Sequence, residues 1–290
     1  MNLVGLPNSG KSTLFNALLN AKMAIVSPKP QTTRLRVTGI LQEDNMQLIL
    51  SDTPGWIEQT AYPLQQVMNL QVKIALEDAD VLVWVADPHF GDPIPDRVAQ
   101  MVRQSGIPTV LCYTKRDLKR AEKDPQKENS VNLPFEPVAV FHVSGTTHEG
   151  VNDLLTALKS MLPVHPPYFP EDYMSDRNMR FFLSEMIREQ AMLLYGAEIP
   201  YHLFVVVETC KGVDESAPLA QIFATIYTGK ESHVPILIGK GGKQLKELGT
   251  RSRKEMEQFL HQKVYLNLSV KLRKDWRSNS SFLQKSGLFQ

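Results

Sequence analysis

The sequence predicts an α/β domain followed by a smaller α+β domain, and three observations carry that expectation. Up to residue 162, short β-branched runs alternate with stretches of helical hydrophobic spacing, the pattern of a mostly parallel sheet covered by helices. Four prolines then fall between Pro163 and Pro170, a stretch that cannot continue a helix and reads as a stiff linker. Beyond it the order becomes one helix, two strands, a glycine-rich turn, a basic helix and a final strand. The division expected from this is 1–162, a linker over 163–178, a second domain over 179–277, and a tail over 278–290.

Strands are expected at 37–41, 46–51, 81–86, 109–113 and 138–143, each a run rich in Val, Ile, Leu or Thr. Helices are expected at 64–76, 96–104 and 151–162. The polar stretch 116–137 predicts only a short helix, with Asp124 as its cap and Pro125 at its first position. In the second domain a helix from Met179 should turn Met179, Leu183, Met186, Ile187 and Leu194 inward and Arg180, Glu185, Arg188 and Glu189 outward. Strands at 201–208 and 221–227, a basic helix at 243–261 and a strand at 264–272 complete it. That last strand alternates, with Val264, Leu266, Leu268, Val270 and Leu272 on one face. Gly249 costs about 1 kcal/mol inside a helix and predicts a bend there.

The chain has 290 residues, 42% hydrophobic and 22% charged, with a net charge of +1, an ordinary composition for a globular protein of two domains. Collagen, coiled-coil rods and disulfide-stapled miniproteins are excluded by it. The longest apolar run, Val81 to Ala86, is too short to span a bilayer, and no basic segment followed by an apolar one opens the chain. Cys112 and Cys210 are too few and too far apart for a metal set or redox pair, so a cytoplasmic protein with reduced thiols is expected. The near-neutral total hides an asymmetry: residues 230–277 hold 12 Lys and Arg against 5 Asp and Glu, whereas residues 1–229 hold 19 against 26. A basic segment of this kind fits either a polyanion partner or a solvated face.

Gly5-Leu-Pro-Asn-Ser-Gly10-Lys11-Ser12 matches G-x-x-x-x-G-K-[ST], after a strand and before the apolar helix of Leu14, Phe15, Leu18 and Leu19. This is the phosphate-binding loop of P-loop NTPases. Gly5, Asn8, Ser9 and Gly10 would supply backbone to wrap phosphates, and Lys11 would neutralise the β and γ groups. The hydroxyl of Ser12 would bind Mg²⁺, with Thr13 beside it. The lead-in strand is very short, which points to missing upstream residues. Asp52-Thr-Pro-Gly55 follows a strand, as a second acidic Mg²⁺ element must, with Asp52 expected to act through a water and the Gly55 N–H to reach the γ-phosphate. Thr114-Lys115-Arg116-Asp117 closes another strand and resembles the N-K-x-D element, whose Asp accepts from guanine N1–H and N2–H₂ together. Ser144-Gly145-Thr146 is placed to give an N–H to guanine O6. In the loop Pro30-Gln-Thr-Thr-Arg34, Thr33 is chosen as the metal hydroxyl and catalytic contact, together with Lys11 and Gly55. Thr32 is the neighbour that spacing cannot separate from it.

These elements resemble a translation-factor-class GTPase of the Ras-like fold, with two departures. Thr114 stands where Asn is usual, losing an amide that tethers the loop and contacts the base, so weaker guanine affinity is expected. Trp56 stands where Ras-type enzymes keep a water-orienting Gln, and reads better as a packing aromatic than as a direct participant. Slow hydrolysis is therefore expected unless K⁺, a partner or a group from elsewhere positions the water. A P-loop kinase or ATPase is opposed by Asp117 and Ser144, and an RNA-binding module with a vestigial nucleotide site by the intact Lys11 and Ser12.

In the second domain Ile238-Gly239-Lys240-Gly241-Gly242 carries the G-x-x-G of a K-homology (KH) fold, with Lys243 and Lys246 adding charge where a nucleic-acid backbone would lie. The arrangement as a whole, with Phe169-Pro-Glu-Asp172, Glu185-Met-Ile-Arg-Glu189 and Val270-Lys-Leu-Arg-Lys-Asp-Trp276, resembles the Era-type family of ribosome-assembly GTPases up to Trp276. The resemblance implies a Ras-like domain followed by a type II KH domain, GTP and GDP as ligands with Mg²⁺, and the 3′ end of 16S rRNA and the small ribosomal subunit as partners. It also implies a monomer with peripheral association at the inner membrane face, for which the residues show no anchor. A translation-factor-class GTPase acting on a different RNA is the alternative.

Overall fold

Antiparallel pairing of β2 (Val37–Glu43) with β3 (Met46–Asp52) starts the first unit, and every later strand of its sheet is added in parallel. A computed structural model describes residues 1–43, 45–89, 94–118, 135–196, 198–213, 217–279 and 282, so the helix expected around Asp124 lies outside the described residues. The chain divides into two compact units, 1–61 with 65–176, and 62–64 with 177–290.

The first unit holds a six-stranded sheet in the order β2-β3-β1-β4-β5-β6, where β1 is Asn2–Val4, β4 Leu82–Ala86, β5 Thr109–Tyr113 and β6 Ala139–His142. Its central strands β1 and β5 are buried throughout, including the polar Asn2 and Thr109 at their starts. The helices are α1 (Lys11–Leu19), α2 (Pro63–Glu77), α3 (Asp96–Ser105) and α4 (Val151–Ser160). Left-handed glycines mark their ends: Gly10 before α1, Gly106 after α3 and Gly150 before α4. Because β1 lies between β3 and β4, the loops leaving β1, β3, β4 and β5 open at one edge of the sheet.

The stretch read as a linker is not a free tether. Ile40 donates its N–H to Met174 O at 2.9 Å, Ser175 Oγ donates to Thr38 O, and Asp176 Oδ1 accepts from Thr38 N at 3.2 Å. Gln47 accepts from the N–H groups of Tyr168 and Phe169 and donates to Phe169 O. Proline barred a helix, as expected, but side-chain amides and the open margin of β2 satisfy the backbone instead.

The second unit is a three-stranded sheet, β7 (Leu203–Lys211), β8 (Leu219–Thr228) and β9 (Lys263–Leu272), with β8 antiparallel to β7 and parallel to β9. Helices α5 (Met179–Leu194) and α7 (Lys243–Leu260) cover one face, and Leu183, Ile187, Ile222, Ile226, Leu248 and Met256 form the core. Asn178 caps α5 by accepting from Phe181 N. A short helix α6 (His233–Ile238), not read from the sequence, precedes the glycine turn, and its end is tied to α5 by Tyr195 Oη donating to Leu237 O. Residues 199–202 form a 3₁₀ turn rather than the start of a strand.

Further expectations fail: Met179, expected to face inward on α5, is 39% exposed. Helix α7 runs unbroken through Gly249. Arg188 and Glu189, expected on the outer face of α5, are only 2% and 3% exposed. Pairing makes the burial of Arg188 tolerable, because its guanidinium forks onto the Glu185 carboxylate.

Candidate nucleotide and RNA sites

Residues 5–10 turn from β1 into α1 through backbone that favours small side chains. A β-carbon at Gly5 would stand 2.3 Å from Val85 O, and both Asn8 (φ 63°) and Gly10 (φ 93°) are left-handed. A cavity of about 310 Å³ opens above this turn, lined by Asn8, Gly10, Lys11, Ser12 and Thr13 on one side and by Thr32, Thr33 and Gly55 on the other. Lys11 is buried, with Nζ donating to Leu6 O at 2.7 Å and Gly5 O at 3.2 Å. Burial lowers its pKa to about 8, opposed by the charge of Asp52, so the ammonium is cationic at neutral pH.

Three side chains converge on one point. Ser12 Oγ donates to Asp52 Oδ2 at 2.7 Å, Thr33 Oγ1 donates to the same oxygen at 3.1 Å, and the two hydroxyls are 2.8 Å apart. Asp52 is fully buried, and its other oxygen, Oδ1, has no partner among the described residues. Desolvation raises its pKa to about 6, opposed by Ser12, Lys11 and Thr33. Two hydroxyls around a buried carboxylate with an orphaned oxygen are hard oxygen donors that fit Mg²⁺. Thr32 is turned elsewhere, its Oγ1 donating to Lys29 O at 2.6 Å. The structure therefore brings Thr33, not Thr32, to Asp52.

Gly55 is pressed against the turn: a β-carbon there would lie 2.6 Å from both N and Cα of Pro7. Trp56 is 4% exposed and packs with Val4, Val72 and Leu76, its Nε1 donating to Glu58 Oε2. The residue after Gly55 thus contributes packing and no group to orient a water.

The residues expected to recognise the base follow β5 and β6, and Asp117, Ser144, Gly145 and Thr146 are not among those that line the cavity. Asp117 Oδ1 accepts from Ser144 Oγ at 2.6 Å, and a β-carbon on Gly145 would come within 3.0 Å of the Thr13 backbone, so the 144–146 turn sits directly on α1. Thr146 is exposed. Thr114 corrects the expectation attached to it: its Oγ1 donates to Ser9 O at 2.6 Å, so the hydroxyl keeps the tether that a missing amide was expected to lose. Asp87, at the end of β4, carried no role in the sequence reading. It pairs with Lys115, and its position past the carboxyl end of a central strand was the available signal.

In the second unit Gly239, Gly241 and Gly242 all have positive φ, at 74°, 62° and 78°. Open space surrounds Gly241 and Gly242, so their glycine identity serves backbone conformation and close approach, not packing. Ile238 ends α6 and is half-buried, while Lys240, Lys243 and Lys246 are exposed around the turn.

Comparison with known proteins finds one family match in each unit. Residues 1–115 match the family described as 50S ribosome-binding GTPase, and residues 198–277 match the KH domain. The GTPase Era of Syntrophus aciditrophicus is 39% identical over 288 residues, covering 99% of this chain and 94% of that protein. The chain belongs to the Era family of GTPases. The Era of Xylella fastidiosa strain Temecula1 is 38% identical over 98% of this chain and 95% of its own length. Among solved structures, a single-residue variant of Aquifex aeolicus Era bound to GDP and AlF₄⁻ superposes with a TM-score of 0.90 at 33% identity, covering all of this chain and 98% of that one. An Era in complex with MgGDPNP and nucleotides 1506–1542 of 16S ribosomal RNA superposes with a TM-score of 0.89 at 33% identity and the same coverage. The Era fold is thus a Ras-like P-loop domain followed by a KH domain.

Proposed function

We propose that this chain binds GTP with Mg²⁺, hydrolyses it to GDP and phosphate, and binds the 3′ end of 16S rRNA through its KH domain while assisting small-subunit assembly. The observation that carries the reading is the convergence of Ser12, Thr33 and Asp52 beside Lys11, at the mouth of a cavity whose other wall includes Gly55. Relatives crystallised with guanine nucleotides and with 16S rRNA support it.

Backbone N–H groups of the 5–10 turn and the start of α1 hold the phosphates, and Lys11 leaves its own loop carbonyls to neutralise them. Ser12, Thr33 and Asp52 would hold Mg²⁺, which supplies charge neutralisation across the β- and γ-phosphates. Asp117, oriented by Ser144, takes the guanine N1–H and N2–H₂, and the Ser144, Gly145 and Thr146 turn offers an N–H to O6. Thr33 and the Gly55 N–H sense the γ-phosphate, so its loss releases both loops. Intrinsic turnover is slow because Trp56 is committed to the core, and a partner or K⁺ positions the water.

In the KH domain the open turn from Gly239 to Gly242 receives the RNA backbone, and Lys240, Lys243 and Lys246 neutralise it. The chain acts as a monomer in the cytoplasm. Any membrane association is peripheral, in keeping with the lack of a described helix long and apolar enough to cross a bilayer.

Competition between guanine and adenine nucleotides tests the first half: excess ATP should leave bound fluorescent GDP in place. Crosslinking RNA in cells, with Gly242→Asp as control, tests the second. Fragments scattered over messenger and transfer RNA would overturn the ribosomal assignment.

A further inference from the structure

Two consecutive side chains at the end of β5 hold two consecutive carbonyls of the phosphate-binding turn. Thr114 Oγ1 donates to Ser9 O at 2.6 Å, and Lys115 Nζ donates to Asn8 O at 3.0 Å. A trans peptide points its N–H away from its C=O, so fixing Ser9 O fixes the direction of the Gly10 N–H. Lys115 also lines the 310 Å³ cavity, so the position of its ammonium decides where its methylene stem lies along the wall.

What fixes that ammonium is Asp87. Its side chain is 4% exposed, Oδ2 lies 2.7 Å from Lys115 Nζ, and Oδ1 accepts from His89 N at 2.9 Å. Lys115 itself has left-handed backbone (φ 61°), an uncommon conformation for a long side chain and one that persists only where its surroundings hold it. A carboxylate so buried costs free energy unless a cation answers it, and the cation here is the one that clasps the turn.

The geometry points to Asp87 as a positioning residue for guanine-nucleotide binding: through Lys115 it locks the phosphate-binding turn to the base-recognition loop. This rests on the guanine-nucleotide reading of the same site. Asp87 is not among the residues that line the cavity and acts, through Lys115, on affinity more than on the chemical step.

The test is a cycle of wild type, Asp87→Asn, Lys115→Met and the double variant. Its readouts are fluorescent-GDP dissociation constants, kcat and KM for GTP, and thermal midpoints without nucleotide. Asp87→Asn should weaken GDP binding roughly tenfold while kcat at saturating GTP stays within about twofold. In the double variant the two effects should not multiply, because each removes the same contact. Asp87→Asn binding as tightly as wild type, or effects that multiply, would overturn the assignment. If Asp87→Asn alone fails to fold, the comparison moves to the Lys115→Met background, where the carboxylate has lost its cation. There the added Asn must raise the thermal midpoint, and a fall refutes the pairing. Failure of the wild-type chain to bind GDP at all would instead refute the underlying site.

Discussion

Replacing Gly55 by Ala should separate the γ-phosphate contact proposed for it from the rest of the proposed nucleotide site. The new methyl would lie 2.6 Å from the N and Cα of Pro7 and 2.8 Å from its Cγ. Carbon atoms rest about 3.5–4.0 Å apart, so the two loops must part by about 1 Å. Neither can yield by rotating a side chain, because the nearest atoms belong to backbone. On the proposed function, displacement of that size would break the hydrogen bond assigned to the Gly55 N–H and the γ-phosphate, worth about 1.5–3 kcal/mol for a charged acceptor, or roughly 10- to 100-fold. GDP has no γ-phosphate and feels only the small shift at Pro7. Competition against a fluorescent nucleotide should therefore show affinity for a non-hydrolysable GTP analogue falling at least tenfold, and GDP affinity falling less than about fivefold. Equal losses for both nucleotides would mean that Gly55 serves packing alone, and unchanged binding of the analogue would remove it from the γ-phosphate site.

Other outcomes follow from the second unit. A β-carbon at Gly249 would meet Leu268 Cδ1 at 3.6 Å, an ordinary contact, so Gly249→Ala should stabilise α7 by about 1 kcal/mol in urea denaturation, and a loss of stability would show a role for the glycine beyond the helix. Burial, with Arg277, Lys230 and His233 nearby, pushes the pKa of His202 down to about 4 against the pull of Glu198. The folded protein thus keeps His202 neutral, and its contribution is intact above pH 6.5 and lost as pH falls from 6.5 towards 4. The loss is about 1–3 kcal/mol relative to His202→Gln in denaturation curves, and parallel curves for the two proteins would contradict it. Replacing Lys240, Lys243 and Lys246 by Ala should reduce the salt dependence of binding to a 16S 3′-end oligonucleotide by a slope of about 2, since each phosphate contact on a single strand contributes about 0.7. An unchanged slope would place the RNA elsewhere.

Much of this was legible because period and punctuation agreed. β5 is buried over the five residues from Thr109 to Tyr113 and rich in β-branched and apolar side chains, and the helix at Asp96 is bounded by Pro95 and Gly106. The phosphate turn, Asp52 and Asp117 were legible as motifs, since chemistry dictates their residue types. Contacts between motifs were not. Nothing in the spacing shows that Thr114 reaches Ser9 across 105 positions, that Asp87 answers Lys115, or that Thr32 turns to Lys29 and leaves Thr33 to face Asp52. Helix α6 was too short, at six residues, to present a period. The burial of Arg188 could not be foreseen because helical spacing assigns a charge to the outside unless its partner is known.

The hydrogen bonds from residues 168–176 to β2 and β3 bear on how this protein should be cut. A margin strand stripped of its cover offers a row of free amides and carbonyls to any extended chain in solution. A fragment ending at 162 would shed the groups that now engage Thr38, Ile40 and Gln47, and should precipitate or self-associate where a fragment ending at 176 stays dispersed. The prolines mark where the helix stops, and the separable piece ends a dozen residues later.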